Sequence, residues 1–345
     1  MKLFSHRGAL AAVLSSALVL SACGGDDSDS ASGSGGSGGD GGEEVTVTFL
    51  PKNLGNPYFD TSSAGGKEAV EEFGGSFEEV GPQEATPDGQ VQYINTAAQQ
   101  GVSALVVSAN DPTAIGSALN QARDTGTKVV TFDSDTDPEF RDVFVNQASP
   151  EGIAQAQVDL ITEQIGDEGE IAILSASANA TNQNTWIDLM KEDLAANHPD
   201  VELVEVVYGD DDDQASFDKT AALLQSHPDL AGIVSPTTVG IAAAARYLSD
   251  TASADVALTG LGTPNQLREY VEDGTIEAFA LWNPADLGYL AAFTAEALVS
   301  GTIAGDEGDT FEAGRLGEYT VGADSVVLLG DPFVFNADNI ADFDF

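Results

Sequence analysis

Residues 104–133 open with Ala104-Leu-Val-Val-Ser108, pass Pro112, and close with Lys128-Val-Val-Thr-Phe-Asp133. Two short apolar runs flank a segment that begins with proline, a residue tolerated in the first turn of a helix. The unit reads strand, helix, strand. Its strands are apolar throughout rather than alternating, as expected when helices cover both faces of a parallel sheet. The same grammar extends in both directions. Upstream lie a strand at 45–50, a helix at 61–73 closed by Gly74-Gly75, and a helix at 90–100. Past Pro150 the pattern restarts, with helices at 150–165, 184–196, 216–226, 240–248 and 264–271. Strands at 170–175, 201–208, 232–235, 256–261 and 276–282 lie between and after them. The expectation is an α/β protein of two doubly wound, Rossmann-like lobes in series.

The end of the chain departs from this alternation. Residues 284–300 read as one long helix, with Leu287, Leu290, Ala291, Thr294 and Leu298 at helical spacing. Short strands are expected at 314–322 and 326–335, joined as a pair by a turn at Gly322-Ala-Asp324. A helix and a strand pair left over after two lobes suggest a chain that crosses back between them.

Before the body, Lys2 and Arg7 precede the apolar stretch 8–20, which is too short to span a membrane. Leu20-Ser-Ala-Cys23 comes next, and Cys23 is the chain's one cysteine, so it has no disulfide partner within the chain. This ending resembles the lipobox of bacterial lipoproteins. The resemblance implies a signal peptide at 1–22, lipidation at Cys23, and an extracytoplasmic protein held at the cell membrane. Residues 24–44 are nearly all Gly, Ser, Asp and Glu, a composition that forms a flexible, self-repelling linker.

Acidic residues number 57 against 12 basic ones, a formal net charge of -45. Nucleic-acid binding and direct adhesion to anionic lipid are excluded as functions, because both need clustered Lys and Arg. With so few cations, a lysine in an otherwise uncharged loop needs a reason.

In open α/β sheets ligands bind beyond the carboxyl ends of the strands. The first such end reads Pro51-Lys52-Asn53-Leu54-Gly55-Asn56-Pro57-Tyr58-Phe59-Asp60, a loop with one lysine, two asparagines and two adjacent aromatics. The strand at 128–133 ends in Asp133-Ser134-Asp135, and residues two apart on an extended segment face the same way. Both carboxylates are therefore expected in one cleft. In the second half, Asn182, Gln183, Pro236, Thr238, Trp282 and Asn283 come after strands. Each has an ordinary structural reading as a helix cap, a turn former or, for Trp282, a core residue. Their coincidence at one edge of both sheets favours a site. Carboxylates accept from sugar hydroxyls, amides and an amine donate to them, and aromatic faces cover the apolar side of a pyranose.

At these residues the chain resembles the type I periplasmic binding proteins of sugar ABC transporters, over the whole of 45–345. Residues 51–60, 131–135, 180–184, 281–284 and 342–345 look like the rhamnose-binding branch. A sister branch binds autoinducer-2; this chain matches its pocket at Lys52, Asp133, Gln183 and Pro236 and departs at Asn182 and Thr238. The resemblance implies two lobes joined by three crossovers, with 45–146 plus 284–318 in one and 147–283 plus 319–345 in the other. It implies sugar contacts from Lys52, Asn56, Tyr58, Phe59, Asp133 and Asp135, with Asn182, Gln183, Pro236, Thr238 and Asn283 closing over the ligand. Phe59 and Trp282 are the candidates for covering rhamnose's methyl group. A monomer is implied that delivers its sugar to an ABC permease and ATPase, without chemistry, cofactor or metal. A sensor feeding a chemoreceptor or kinase would share this fold. A glycosidase using Asp133 with Asp135 is the rival enzyme reading. His6, His198 and His227 are isolated, and the run Asp210–213 lacks the Gly and Glu of an EF-hand loop, so it reads as solvated.

Overall fold

The computed structural model describes residues 44–253 and 255–345. The signal, Cys23 and the linker through residue 43 lie outside the described residues. The first lobe opens with β1 (Thr46–Leu50), α1 (Pro57–Glu72), β2 (Ser76–Glu79), α2 (Pro87–Gln100) and β3 (Ala104–Val107). It continues with α3 (Gly116–Asp124), β4 (Lys128–Phe132) and β5 (Val143–Asn146). The second lobe runs through α4 (Pro150–Ile165), β6 (Gly169–Ser175), α5 (Thr181–Asn197), β7 (Val201–Tyr208) and α6 (Asp213–Ser226). β8 (Leu230–Ser235), α7 (Thr238–Thr251), β9 (Ala257–Gly260), α8 (Pro264–Glu272) and β10 (Ala278–Leu281) complete its main run. Then come α9 (Pro284–Ser300), β11 (Thr310–Glu312), β12 (Glu318–Thr320), β13 (Val326–Leu328) and β14 (Phe333–Asn336).

The first sheet has the order β13-β5-β4-β3-β1-β2, all parallel. The second has the order β7-β6-β8-β9, also parallel, and a bridge from Leu261 to Ala280 carries it on to β10. In each sheet the winding direction reverses beside the first strand, between β1 and β3 and between β6 and β8. Those two reversals open crevices at the strands' carboxyl ends. The central strands explain themselves: all four residues of β3 are buried, which only an apolar run can accept. Two strands escape the sequence pattern. β2 reads Ser-Phe-Glu-Glu and is largely exposed at the sheet edge, while β5 is a four-residue run soon after β4.

The expected strand pair at the end of the chain does not form. β11 and β12 make their own small hairpin, while β13 joins β5 in the first sheet and β14 pairs antiparallel with β10 in the second. The third crossing therefore lies between Leu328 and Phe333 rather than at residues 318 and 319. The free edge of β5 accounts for this, since β13 completes it and buries Val327. The other crossings come after β5 and β10. Helix α9 packs back on α1 and on β3, β4 and β5, returning the chain to the first lobe.

The α1–α9 contact is close enough to exclude side chains. A Cβ at Gly65 would overlap the carbonyl of Ala285, and one at Gly288 would overlap the carbonyl of Ser62. Backbone cannot swing aside as a side chain does, so overpacking here exceeds alanine's advantage in helix propensity of about 1 kcal/mol. Gly288→Ala should destabilise the protein by about 1–3 kcal/mol, read as a lower urea midpoint; an unchanged midpoint would contradict this packing.

Candidate functional site

The loop after β1 carries Lys52 into the first crevice, where the residue is only 5 % exposed. Asn56 then caps α1, its side chain accepting from the Tyr58 amide at 3.0 Å, with Pro57 in the first turn. Tyr58 and Phe59 consequently lie on the first turn of a helix and not in a loop as expected. Both are buried. The start was readable from Asn56-Pro57, an N-cap with a proline suited to the first helical position behind it.

Strand β4 ends at Phe132, and Asp133 turns left-handed, with φ of 62°. Asp tolerates that conformation better than most residues with a Cβ. The turn breaks the two-residue alternation, so Asp135 does not share the crevice with Asp133. Instead Arg141 Nε donates to both Asp135 oxygens, at 2.9 and 3.0 Å, and Thr131 donates to Oδ1. Burial pushes the Asp135 carboxyl up, with the Arg141 hydrogen bonds and charge opposing it. Arg141 also donates to the carbonyls of Asp324 and Ser325, so this pair ties the loop after β4 to the turn before β13. Asn283 is likewise occupied elsewhere: it caps α9 by accepting from the Ala285 amide at 3.0 Å.

The remaining ten expected residues surround one interlobe cavity with about 370 Å³ of atom-free space, counted to its opening on solvent. Lys52, Asn56, Tyr58, Phe59 and Asp133 come from the first lobe. Asn182, Gln183, Pro236 and Thr238 come from the second, and Trp282 sits at the crossing after β10. Trp186, Asp211, Thr237, Leu261 and Leu281 also line it and were not anticipated. Leu261 and Leu281 carry no chemical mark in sequence. Trp186 lies on α5 in an unremarkable helical context, and Asp211 was hidden inside a charge run.

Asp133 is the centre of the polar network. Tyr58 Oη donates to its Oδ1 at 3.1 Å, Ser108 Oγ donates to Oδ2 at 2.7 Å, and Lys52 Nζ lies 3.8 Å from Oδ2. Trp282 Nε1 donates to Tyr58 Oη at 2.9 Å, which leaves the tyrosine proton directed at Asp133. Burial first, and the Asp133 charge second, push the Tyr58 phenol well above its ordinary range, so it remains a donor. The two lobes meet through Asn182. Its Oδ1 accepts from Lys52 Nζ and its Nδ2 donates to the Asp133 carbonyl, each at 3.3 Å. Gln183 uses Oε1 to accept from Ser175 Oγ and the Ala176 amide, leaving its two N–H donors for a ligand. Tyr58 and Trp186 each meet the Trp282 ring edge-on at 6.1 Å between centroids, forming an aromatic wall. Donors, acceptors and flat apolar faces thus converge on one cavity between the lobes.

Comparison with known proteins gives this geometry a family. The periplasmic binding protein domain matches residues 47–303. The crystal structure of a sugar ABC transporter from Actinomyces odontolyticus is 52 % identical, covering 87 % of this chain and 97 % of its own, with a TM-score of 0.71. An ABC transporter solute binding protein from Clostridium phytofermentas with bound L-rhamnose is 40 % identical, covers 87 % and 98 %, and superposes with a TM-score of 0.84. LsrB from Clostridium saccharobutylicum in complex with AI-2 is 27 % identical over 87 % and 100 %, with a TM-score of 0.83. Among curated proteins, the D-ribose/D-allose-binding protein of Pseudomonas aeruginosa is 23 % identical over 289 residues, 81 % of this chain and 87 % of its own. With a family match over most of its body and a polar and aromatic cavity between two lobes, the chain belongs to the periplasmic binding proteins, as the extracytoplasmic sugar-binding component of an ABC importer and not an enzyme.

Proposed function

We propose that this protein binds L-rhamnose between its lobes and hands it to a membrane permease, while Cys23 carries a lipid anchor. The observation that carries the ligand is the cavity's mixed lining: charged, amide and hydroxyl groups at Lys52, Asn56, Asp133, Asn182, Gln183, Asp211, Thr237 and Thr238 share it with the rings and aliphatic chains of Tyr58, Phe59, Trp186, Leu261, Leu281 and Trp282. A 6-deoxyhexose needs that mixture, since its ring hydroxyls require partners and its methyl group requires an apolar wall. The 40 % identical protein holding L-rhamnose supports the same reading. In the sister autoinducer-2 branch Asp and Ala stand where Asn182 and Thr238 stand here, so the chain departs from that pocket on the second-lobe side.

Lys52, Asn56, Tyr58, Phe59, Asp133, Asn182, Gln183, Pro236, Thr238 and Trp282 are the proposed contacts. Asp133 accepts from sugar hydroxyls, Lys52 and Gln183 donate, and Phe59 with Trp282 covers the methyl group. Asp135 and Asn283 act at a distance, by fixing the loop after β4 and the start of α9. Sugar binding shifts the population towards the closed form, because contacts from both lobes exist together only there. No bond is made or broken.

Calorimetry on the protein without its signal should show L-rhamnose binding more tightly than autoinducer-2. L-mannose, which adds a hydroxyl at the methyl position, should bind at least about tenfold more weakly, because the apolar wall leaves that hydroxyl unpaired. Equal affinity for the two sugars, or heat only with autoinducer-2, would overturn the assignment. Asp133→Ala should weaken rhamnose binding by about 100-fold or more, since it removes two charged acceptors and leaves Lys52 without its ion pair. A variant that kept its affinity would place the sugar elsewhere. In cells, Cys23→Ser should move the protein from the membrane to the soluble extracytoplasmic fraction; unchanged fractionation would rule out the anchor.

A further inference from the structure

Asp211 lies in the loop between β7 and α6, within a run of four aspartates at 210–213. The run as a whole is ordinary: Asp210, Asp212 and Asp213 are exposed, and Asp212 caps α6 by accepting from the Ala215 amide at 2.7 Å. Asp211 differs from its neighbours. It is half-buried and lines the interlobe cavity with Lys52 and Asp133. The loop that brings it there is pinned at its base, the Gly209 amide donating to the Ser175 carbonyl at 2.9 Å and the Asp210 amide to the Ala176 carbonyl at 2.6 Å.

Thr237 gives the second observation. It occupies the N-cap position of α7, where a threonine hydroxyl ordinarily accepts from the helix's own amides, yet it makes no such cap. The buried hydroxyl instead donates to Asp211 Oδ1 at 2.6 Å. A carboxylate has about four acceptor positions, and among the described residues Thr237 fills one of them. Asp133 has a different balance, with Tyr58, Ser108 and Lys52 already on its carboxylate. The cavity therefore presents a carboxylate whose protein partners leave most of its accepting capacity unused, facing a site that takes hydroxyls.

We propose that Asp211 is a sugar-contacting residue of the second lobe, accepting ring hydroxyls opposite Asp133, and that Thr237 is the positioning residue that holds it there. The inference rests on the sugar-binding reading above. It places an acceptor on each side of the ligand, so a polyol is read from both lobes and closure is coupled to the pattern of its hydroxyls. Protons compete with the sugar for this carboxylate. Burial pushes the Asp211 carboxyl up, the Thr237 hydrogen bond and the Lys52 charge pull it down, and Asp133 and Asp210 raise it again. Asp213, on α6, borders the neighbouring cavity beside it. Wild-type affinity should thus decline on acidification from a pH above the ordinary carboxylate range.

The test is calorimetry on wild type, Asp211→Asn and Thr237→Val, using whichever sugar of a deoxyhexose and pentose panel the wild type binds most tightly. A wrong rhamnose assignment then shows as a different best sugar, and the Asp211 comparison is still read on that sugar. Asn tolerates the left-handed backbone that Asp211 adopts, with φ of 51°, so the first variant preserves the loop. Asp211→Asn should lose about tenfold or more in affinity, as expected for a hydrogen bond to a charged group. It should also lose the acid decline expected of wild type. Thr237→Val should lose several-fold while keeping that decline, displaced in pH. Should Asp211→Asn fail to fold, Thr237→Val carries the test alone. Wild-type affinity and an unaltered pH profile in the folded variants would overturn the proposal.

Discussion

A buried ammonium and a buried carboxylate face one another at the carboxyl ends of β1 and β4, and the rest of the site is arranged around them. Lys52 and Asp133 are both nearly excluded from solvent at a separation of 3.8 Å. Removing two charges from water costs several kcal/mol each, and their attraction offsets this only when further hydrogen bonds satisfy the remaining valences. Here Tyr58 and Ser108 supply them to Asp133, Trp282 orients Tyr58, and Asn182 supplies one to Lys52. Buried ion pairs can often be replaced by apolar residues of similar volume without loss of stability, whereas a ligand rich in hydroxyls needs charged partners already held in place.

The same pair also carries a contact between the lobes. Among the described side chains around the pair, Asn182 bridges the lobes, through two hydrogen bonds of 3.3 Å to Lys52 and to the Asp133 carbonyl. Bonds of that length contribute about 1 kcal/mol each. Taking a two-state equilibrium from 1:99 to 99:1 requires about 5.5 kcal/mol of differential binding. The latch alone is worth less than half of that.

Much of this is legible in the sequence. Apolar strands alternating with helices implied two parallel sheets, and the rule that ligands gather beyond strand ends led to Lys52, Asp133, Asn182 and Gln183. The failures have specific physical causes. Asp135 was assigned by the two-residue period of a strand, but β4 stops one residue before Asp133, and a single left-handed residue turns the next side chains away from the crevice. β13 and β14 read as a hairpin because local apolar patterning cannot say which sheet has a free edge, and each strand joined a different one. Asp211 was lost for the opposite reason. A charge run is usually solvated, and nothing local distinguishes the one aspartate that a neighbouring strand end turns inward. Its signal was Thr237, a threonine before a helix whose hydroxyl bonds away from that helix, and this is visible only in three dimensions.

The chain's acidity acquires a meaning at the site. Across the surface, 57 acidic residues against 12 basic ones act mainly on solubility and repel anionic partners. Inside the cavity the balance is the same in miniature: two carboxyls, Asp133 and Asp211, against one ammonium, Lys52. A sugar acid or sugar phosphate entering there would bring another negative charge into a space of low dielectric with no second cation to meet it. The repulsion between unit charges about 4 Å apart is several kcal/mol even at an effective dielectric of about 20. A neutral sugar meets no such barrier. The cavity's charge balance therefore disfavours an anionic sugar before any fit of shape is considered. Shape has the narrower task of sorting neutral sugars from one another, and for that the aromatic wall at Phe59, Trp186 and Trp282 is the available surface.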